Sequence, residues 1–210
     1  MYTDQSPILA PATAAQAQCV RYLLSQPHGE YSEHDISEMI VPGYFATCAD
    51  AGVDPILAIS QMILETANLS SFWSQRGTPG ANLQRNPAGI GVTGAYSTTR
   101  PANTIDWAYN TQRQRWECGC GFGSWSDAAI PAHVGRLLCW ALGANQGTAK
   151  QRLLITYTGL YRSFPDNLRG TAPILRYLGA AYNSTGQGWA VPGTDYGANI
   201  AAVANRIIGA

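Results

Sequence analysis

The sequence carries little charge of either sign. Only 12% of its 210 residues are charged, its 13 basic and 13 acidic side chains cancel, and a single lysine, Lys150, accompanies twelve arginines. A chain without net charge lacks the electrostatic attraction that binds duplex nucleic acid or an anionic membrane surface, so we expect neither partner. Because 46% of the residues are hydrophobic, a disordered protein is excluded as well.

Long apolar runs and metal-ligand clusters are also missing. No apolar run approaches the roughly 18 residues that a membrane span requires. The three histidines are scattered, and Cys118 and Cys120 are too close in sequence for a zinc-binding pair, so we expect neither a metal nor another cofactor. Five cysteines permit one or two disulfides, but their spacing does not reveal a pairing.

Hydrophobic periodicity predicts a mainly α-helical domain with a small irregular or β lobe. Residues 1–11 are expected to form an N-terminal arm, and residues 12–210 a single domain. Between about 70 and 126, glycine, proline, asparagine and aromatic residues replace the helical period, which predicts an inserted lobe. The predicted helices cover residues 13–26, 32–51 with an interruption at Pro42, 54–68, 127–142, 148–162, 172–183 and 196–208.

The segment 54–68 is predicted to be a buried central helix. Asp54 is a favourable N-cap, Pro55 suits the first helical position, and apolar residues occupy nearly every side. Glu65 lies at its carboxyl end, where burial and the helix dipole both raise the pKa of a carboxyl group. A carboxylic acid that is protonated near neutral pH is what general acid catalysis needs. An exposed helix-end glutamate, or a buried one paired with an arginine, is the alternative.

Five segments, taken in order, resemble one known family. The segment GVDPILAISQMILETANLSSFW is similar to the catalytic helix of the bacterial β-N-acetylglucosaminidase domain of glycoside hydrolase family 73, in the lysozyme superfamily. Later elements of that family are matched by NPAGIGVTG from Asn86, FGSWSD from Phe122, PAHVGRLL, and WAVPGTDYGANI from Trp189. The order agrees over roughly residues 43–208.

The resemblance implies a lysozyme-like fold and a peptidoglycan hydrolase. Such an enzyme would cleave the β-1,4 glycosidic bond after N-acetylglucosamine in cell-wall glycan strands, as a monomer, with Glu65 as general acid. It would act outside the cell or at the cell wall. The first residues lack the basic and apolar regions of a signal peptide, so they either follow such a segment or export takes another route, such as phage-type release. A muramidase or lytic transglycosylase of the same superfamily, or a non-catalytic glycan-binding domain, is the alternative.

The sequence departs from this family at the second carboxylate. The family often has a glutamate in a Thr-x-Glu step, where this chain has Arg113. The acidic residues of the lobe, Asp106 and Glu117, are therefore the candidates for a second catalytic group; otherwise the 2-acetamido group of the substrate itself would attack C1. Trp189 replaces a late tyrosine of the family, and Tyr196 matches a second tyrosine that we interpret as structural.

Aromatic and glycine residues are predicted to bind the sugar. Rings stack on apolar sugar faces, and glycine lets the backbone approach a sugar closely. Asn86 and Gly89 are predicted to shape the floor of the cleft, and His133 to anchor a helix start. The stacking candidates, of which two or three are expected to bind and the rest to lie in the core, are Trp73, Tyr96, Trp107, Tyr109, Trp116, Trp125 and Trp189. The arginines interpreted either as solvated or as contacts for lactyl or peptide carboxylates are Arg76, Arg85 and Arg100.

Overall fold

The computed structural model describes residues 1–78, 82–102 and 106–210. It confirms a mainly α-helical fold with a small β lobe. The helices are α1 (Gln16–Leu24), α2 (Glu33–Asp35), α3 (Val41–Ala51), α4 (Pro55–Thr66), α5 (Ile130–Ala141), α6 (Ala149–Tyr161) and α7 (Tyr196–Ile208). The strands are β1 (Gly77–Thr78), β2 (Asn82–Leu83), β3 (Tyr96–Ser97), β4 (Trp107–Asn110) and β5 (Arg115–Cys118).

Helix α4 is the buried centre of the helical body, as predicted. The carboxylate of Asp54 accepts a hydrogen bond from the Ile56 N–H at 2.9 Å and caps the helix, and every residue from Pro55 to Ile63 is buried. Helices α3, α5 and α7 pack against it. The helix ends at Ala67, whose φ of 48° is left-handed. Glu65 is therefore carried to the point where the central helix leaves the core.

Pro42 does not interrupt its helical segment, contrary to the prediction. A wide π-type turn, Ile36–Ile40, joins α2 to α3, and Pro42 lies in the first turn of α3. In a regular α-helix a proline ring collides with the carbonyl four residues earlier and removes a hydrogen bond. The wider turn, whose bonds reach five residues back, relieves that collision. A second π-type turn, Trp125–Ala129, leads in the same way into α5 and Pro131.

The predicted helix over residues 172–183 is wrong, since only a 3₁₀ turn, Leu175–Leu178, forms there. The backbone groups of this segment bond to other parts of the chain. The N–H of Leu175 donates to the Ser6 carbonyl at 3.1 Å, and the Leu178 carbonyl accepts from the Trp189 N–H at 2.7 Å. Tertiary hydrogen bonds thus take the groups that a helix would have paired internally.

Residues 1–11, the predicted N-terminal arm, pack against the helical body. The Ile8 side chain is only 1% exposed, and Pro7 forms an antiparallel bridge with Ile174. The Tyr2 hydroxyl donates to Asp54 at 2.6 Å, next to the N-terminus of α4. The N-terminal segment therefore helps to fix the position of the central helix.

The lobe is built on a three-stranded antiparallel sheet with strand order β3-β5-β4. Glu117 in β5 lies opposite Tyr96 on one side and Ala108 on the other. Strands β1 and β2 form a separate antiparallel pair, with Gly77 opposite Leu83. The middle strand, β5, carries two charged residues, Arg115 and Glu117.

The cysteines form no disulfide. All five are free thiols, and four of them are buried. Within the described ranges, no helix combines the length and the apolar character needed to cross a bilayer.

Candidate active site

A cavity of about 580 Å³ lies where the end of α4 meets the lobe. Glu65 lines it from the helical body. The lobe contributes charged and polar side chains from β4, β5 and the turn between them, together with a glycine-containing loop. The lining residues that bear on function are Trp73, Asn86, Gly89, Val92, Asn110, Arg113, Arg115 and Glu117.

Glu65 is a desolvated carboxyl group with one oxygen bonded and the other open. Burial raises its pKa, and the hydrogen bond that the Tyr196 hydroxyl donates to Oε1 lowers it by less. In the part of the chain that the structure describes, no basic group lies within 4.0 Å of it. Its Oε2 faces Gly89, where a Cβ would lie 3.6 Å away. Glu65 therefore lies at the edge of a cavity, in surroundings that raise its pKa.

A chain of buried hydrogen bonds leads through the core to Glu65. The Tyr44 hydroxyl bonds to Nδ1 of His133 at 2.8 Å, and Nε2 of His133 bonds to Oε1 of Gln61 at 2.9 Å. The Gln61 amide then donates to the Tyr196 hydroxyl at 2.8 Å, which donates to Glu65. Four helices, α3, α5, α4 and α7, thus each contribute to one continuous polar network.

The direction of every bond in this network follows from its chemistry. The amide oxygen of Gln61 only accepts, so Nε2 of His133 carries the hydrogen and Nδ1 accepts from Tyr44. Burial lowers the pKa of His133 to about 3, so the ring stays neutral. The Tyr196 hydroxyl, which accepts from Gln61, must then give its own hydrogen to Oε1 of Glu65. When Glu65 is protonated, its acidic hydrogen is left to Oε2, on the cavity side.

Sequence reasoning missed the part that Tyr196, His133 and Gln61 take in this site. Tyr196 was interpreted as structural and His133 as a helix anchor, yet both belong to the chain that ends on Glu65. One signal was present in the sequence. Gln61 lies four residues before Glu65 on an apolar helix, so the two polar groups share one face.

The structure brings Glu117, and not Asp106, to the Glu65 cavity. Glu117 accepts hydrogen bonds from Arg113 at 3.0 Å and Arg115 at 3.1 Å. Burial raises its pKa, but these bonds outweigh that effect and lower it overall, so Glu117 is an ionised, paired carboxylate. Asp106 is not among the described residues that line the cavity, and its carbonyl accepts from the Gly119 N–H at 2.9 Å.

Among the aromatic candidates of the lobe, Trp73 lines the cavity and is half-buried. Tyr96 is 60% exposed on β3, with the guanidinium of Arg115 over its ring at 4.4 Å from the centroid. Trp107 and Tyr109 lie half-buried on β4 and are not among the described lining residues. Of these candidates, Trp73 is thus the one that lines the cavity with Glu65, and the neighbouring Phe72 lines it too. The ring of Trp116 packs on that of Tyr109, at 5.5 Å between centroids.

Trp125 and Trp189 lie away from this cavity. Trp125 is only 1% exposed and packs edge-on against Tyr31, so it is a core residue rather than a sugar platform. Trp189 is half-buried, with its ring 5.8 Å from that of His133. It lines a second cavity that shares Gly89 with the first.

Asn86 shapes the loop beside Glu65 but offers no free group to a ligand. Its buried amide donates to the carbonyls of Ile90 at 2.7 Å and Cys120 at 2.9 Å, and its oxygen accepts from two loop N–H groups. Gly89, with φ of 62°, is in the left-handed region that favours glycine. Asn86 therefore holds the loop that places Gly89 beside Glu65.

The lobe arginines considered as carboxylate contacts have other partners. Arg76 forms an ion pair with Asp35 at 2.5 Å, Arg85 lies within 3.5 Å of the Phe122 carbonyl, and Arg100 lies over the Trp116 ring. No cluster of three or more potential metal ligands occurs among residues 1–78, 82–102 and 106–210.

Comparison with known proteins gives one distant likeness. Neither a protein-family model nor a curated protein matches this sequence. The fold is similar to the crystal structure of S. aureus autolysin E, at 11% sequence identity and a TM-score of 0.47, over 99% of this chain and 73% of that one. Function is therefore inferred from the residues of the site.

Proposed function

We propose that this protein is a peptidoglycan hydrolase that cleaves the β-1,4 glycosidic bond after N-acetylglucosamine, with Glu65 as general acid. One observation carries the proposal: a desolvated carboxyl group is fixed through Oε1 and open to a cavity through Oε2. Such a group matches what protonation of a glycosidic oxygen requires. The substrate class comes from the family resemblance of the sequence, and a cell-wall substrate implies action outside the cell or at the wall.

The first step transfers the Oε2 proton of Glu65 to the glycosidic oxygen as the bond to C1 breaks. The positive charge that develops at C1 then needs a nucleophile. Glu117 is an ionised carboxylate of the same cavity, but two arginines hold it. We therefore assign the attack to the carbonyl oxygen of the substrate's 2-acetamido group. Water then attacks C1, the bond from C1 to the acetamido oxygen breaks so that the acetamido group is restored, and one proton of the water returns to Glu65.

A lytic transglycosylase is the second candidate. It would use Glu65 as the same single acid but cut after the muramyl sugar. The observation that favours a single-acid reaction is the pairing of Glu117 with Arg113 and Arg115, which leaves Glu65 as the unpaired carboxyl group of the cavity in the described part of the chain.

The test is a zymogram on bacterial cell walls with Glu65→Gln beside the parent, followed by analysis of the reducing ends. General acid catalysis contributes about 10²–10⁴-fold, so the variant should retain less than about one hundredth of the activity. Glutamine keeps the size of the side chain and its acceptor oxygen for Tyr196. The control is Glu33→Gln, which makes the same change at an exposed position and should leave lysis unchanged.

Two results would refute the proposal. Lysis by Glu65→Gln above about a tenth of the parent level, with the fold intact, would show that Glu65 is not the acid. Products ending in the muramyl sugar would replace the glucosaminidase assignment with the second candidate.

A further inference from the structure

We propose that a second cavity, adjoining the Glu65 cavity, binds a carboxylate of the substrate. This inference rests on the proposed function and names the part of the wall polymer that the site recognises. The second cavity has a volume of about 220 Å³. The residues that define it here, as the arginine pocket, are Gly89, Val92, Arg136, Trp140, Arg162 and Trp189.

The arginine pocket and the Glu65 cavity share one wall. Gly89 and Val92 line both of them. Gly89 is exposed, and it has no side chain that would stand between the two cavities. A sugar held at Glu65 can therefore place a substituent, or its neighbour along the strand, beside the arginines.

The arginine pocket is lined by two positively charged side chains. None of its described lining residues is acidic, and neither guanidinium lies within 4.0 Å of a described carboxylate. The nearby Cys120 thiol supplies no negative charge, because burial raises its pKa to about 11. Two cations that face a cavity without a counter-ion are typical of an anion site.

The two arginines differ in how many of their guanidinium nitrogens already have a hydrogen-bond partner. One guanidinium nitrogen of Arg136 donates to the backbone carbonyls of Arg162 at 3.0 Å and Ser163 at 3.1 Å, and the group lies over the Phe164 ring at 4.8 Å. Its other nitrogens are left for a ligand. Arg162, at the end of α6, is exposed, and its guanidinium has no partner in the described part of the chain. Arg136 is thus held by two backbone carbonyls, whereas Arg162 is exposed and unpaired among the described residues.

A carboxylate is the anion that this arrangement fits in a cell-wall strand. The planar guanidinium fork binds carboxylates through two parallel hydrogen bonds, and the Trp189 ring offers an apolar wall for the carbon atoms attached to the carboxylate. Such strands carry carboxylates on the muramyl lactyl group and on the attached peptide. Oligomers of N-acetylglucosamine carry none, so the arginine pocket would distinguish the two polymers.

The experiment compares Arg162→Gln with the parent on three substrates. These are strands with intact peptides, strands whose peptides have been removed so that the lactyl carboxylate is free, and the latter strands after esterification. Arg162→Gln should raise KM about three- to tenfold on the substrate whose carboxylate the pocket binds, with kcat little changed. On esterified strands the parent and the variant should have the same KM.

Control variants separate charge from folding. Arg162→Lys, which keeps the charge but not the fork, should lie between the parent and Arg162→Gln. Arg206→Gln removes the same charge at an exposed position near the end of α7 and should leave KM unchanged. Equal KM values for Arg162→Gln and the parent on both carboxylate substrates would overturn the proposal. An equal loss on esterified strands would overturn it too.

A binding measurement keeps this proposal separate from the hydrolase assignment. In a Glu65→Gln background, calorimetry with a disaccharide that contains N-acetylmuramic acid, once with and once without its attached peptide, should show weaker binding of at least one of the two when Arg162 is also changed to glutamine. If the parent lyses no walls but this difference persists, the hydrolase proposal fails and the arginine pocket stands. If the parent lyses walls and the Arg162→Gln variant binds both disaccharides as tightly as its background, the pocket proposal fails alone.

Discussion

Replacing Tyr196 by phenylalanine should move the pH dependence of activity in a defined direction. The hydroxyl lost in this change accepts from Gln61 at 2.8 Å and donates to Glu65. A hydrogen bond to a charged group contributes about 1.5–3 kcal/mol, and this one favours the ionised carboxylate. Without it, the pKa of Glu65 rises further. The alkaline limb of the pH–rate profile, which reports the loss of the acid's proton, should therefore move to higher pH.

The same change should also cost stability. Phenylalanine keeps the buried ring but leaves the amide N–H of Gln61 without an acceptor, which costs about 1–3 kcal/mol. Urea denaturation measures that loss in the free energy of unfolding. Below the alkaline limb the rate should fall by less than about tenfold, because the proton donor itself is retained.

Tyr44→Phe is the matched control for both effects. It removes a hydroxyl from the other end of the network, where His133 Nδ1 loses its donor at 2.8 Å, and it leaves the groups that touch Glu65 in place. We expect a comparable loss of stability with the alkaline limb unchanged. A limb for Tyr196→Phe that coincides with that of the parent, or lies at lower pH, would show that the hydroxyl does not set the proton affinity of Glu65.

Further substitutions test the remaining parts of the site. In a wall-lysis assay, the loss of activity in Glu117→Gln should be at least about tenfold smaller than in Glu65→Gln, since the general acid alone contributes about 10²–10⁴-fold. A folded Glu117 variant that is as inactive as Glu65→Gln would identify Glu117 as a second catalytic carboxylate. The pKa of Glu65 is raised in the folded state, so the parent loses stability as pH rises through that pKa, whereas Glu65→Gln does not. The melting temperature of the variant should therefore rise relative to that of the parent as pH increases. A difference in melting temperature that stays constant with pH would contradict the burial of an ionisable acid. Gly89→Ala should cost about 1–2 kcal/mol because φ is 62°, and should also impair lysis, since the new methyl group would stand 3.6 Å from Oε2. Gly91→Ala should be more destabilising in urea, because its Cβ would lie 2.4 Å from the Cys120 sulfur.

The parts of this fold that local pattern decides could be predicted from the sequence. The N-cap of Asp54, the position of Pro55 and the continuous apolar run specify α4, and with it the end at which Glu65 lies. The helical pattern of the last residues likewise predicts α7, Tyr196–Ile208. In both cases neighbouring residues determine the structure, so no knowledge of distant contacts is needed.

The parts of the site that depend on contacts between distant residues could not be predicted from the sequence. Tyr196 reaches Glu65 across 131 positions and His133 reaches Gln61 across 72, and no local pattern records either pairing. Aromatic content alone does not separate a core residue such as Trp125 from one that lines a cavity, such as Trp73. The segment around Leu175 has a helical pattern but gives its hydrogen bonds to the N-terminal segment.

The hydrogen-bond network also makes the orientation and the pKa of Glu65 depend on the docking of four helices. Its members come from α3, α4, α5 and α7, so no intermediate lacking one of these helices can complete it. A chain caught before α7 docks would hold Glu65 without the hydroxyl that orients it. Glu65 would consequently reach its native orientation and pKa only once all four helices have docked.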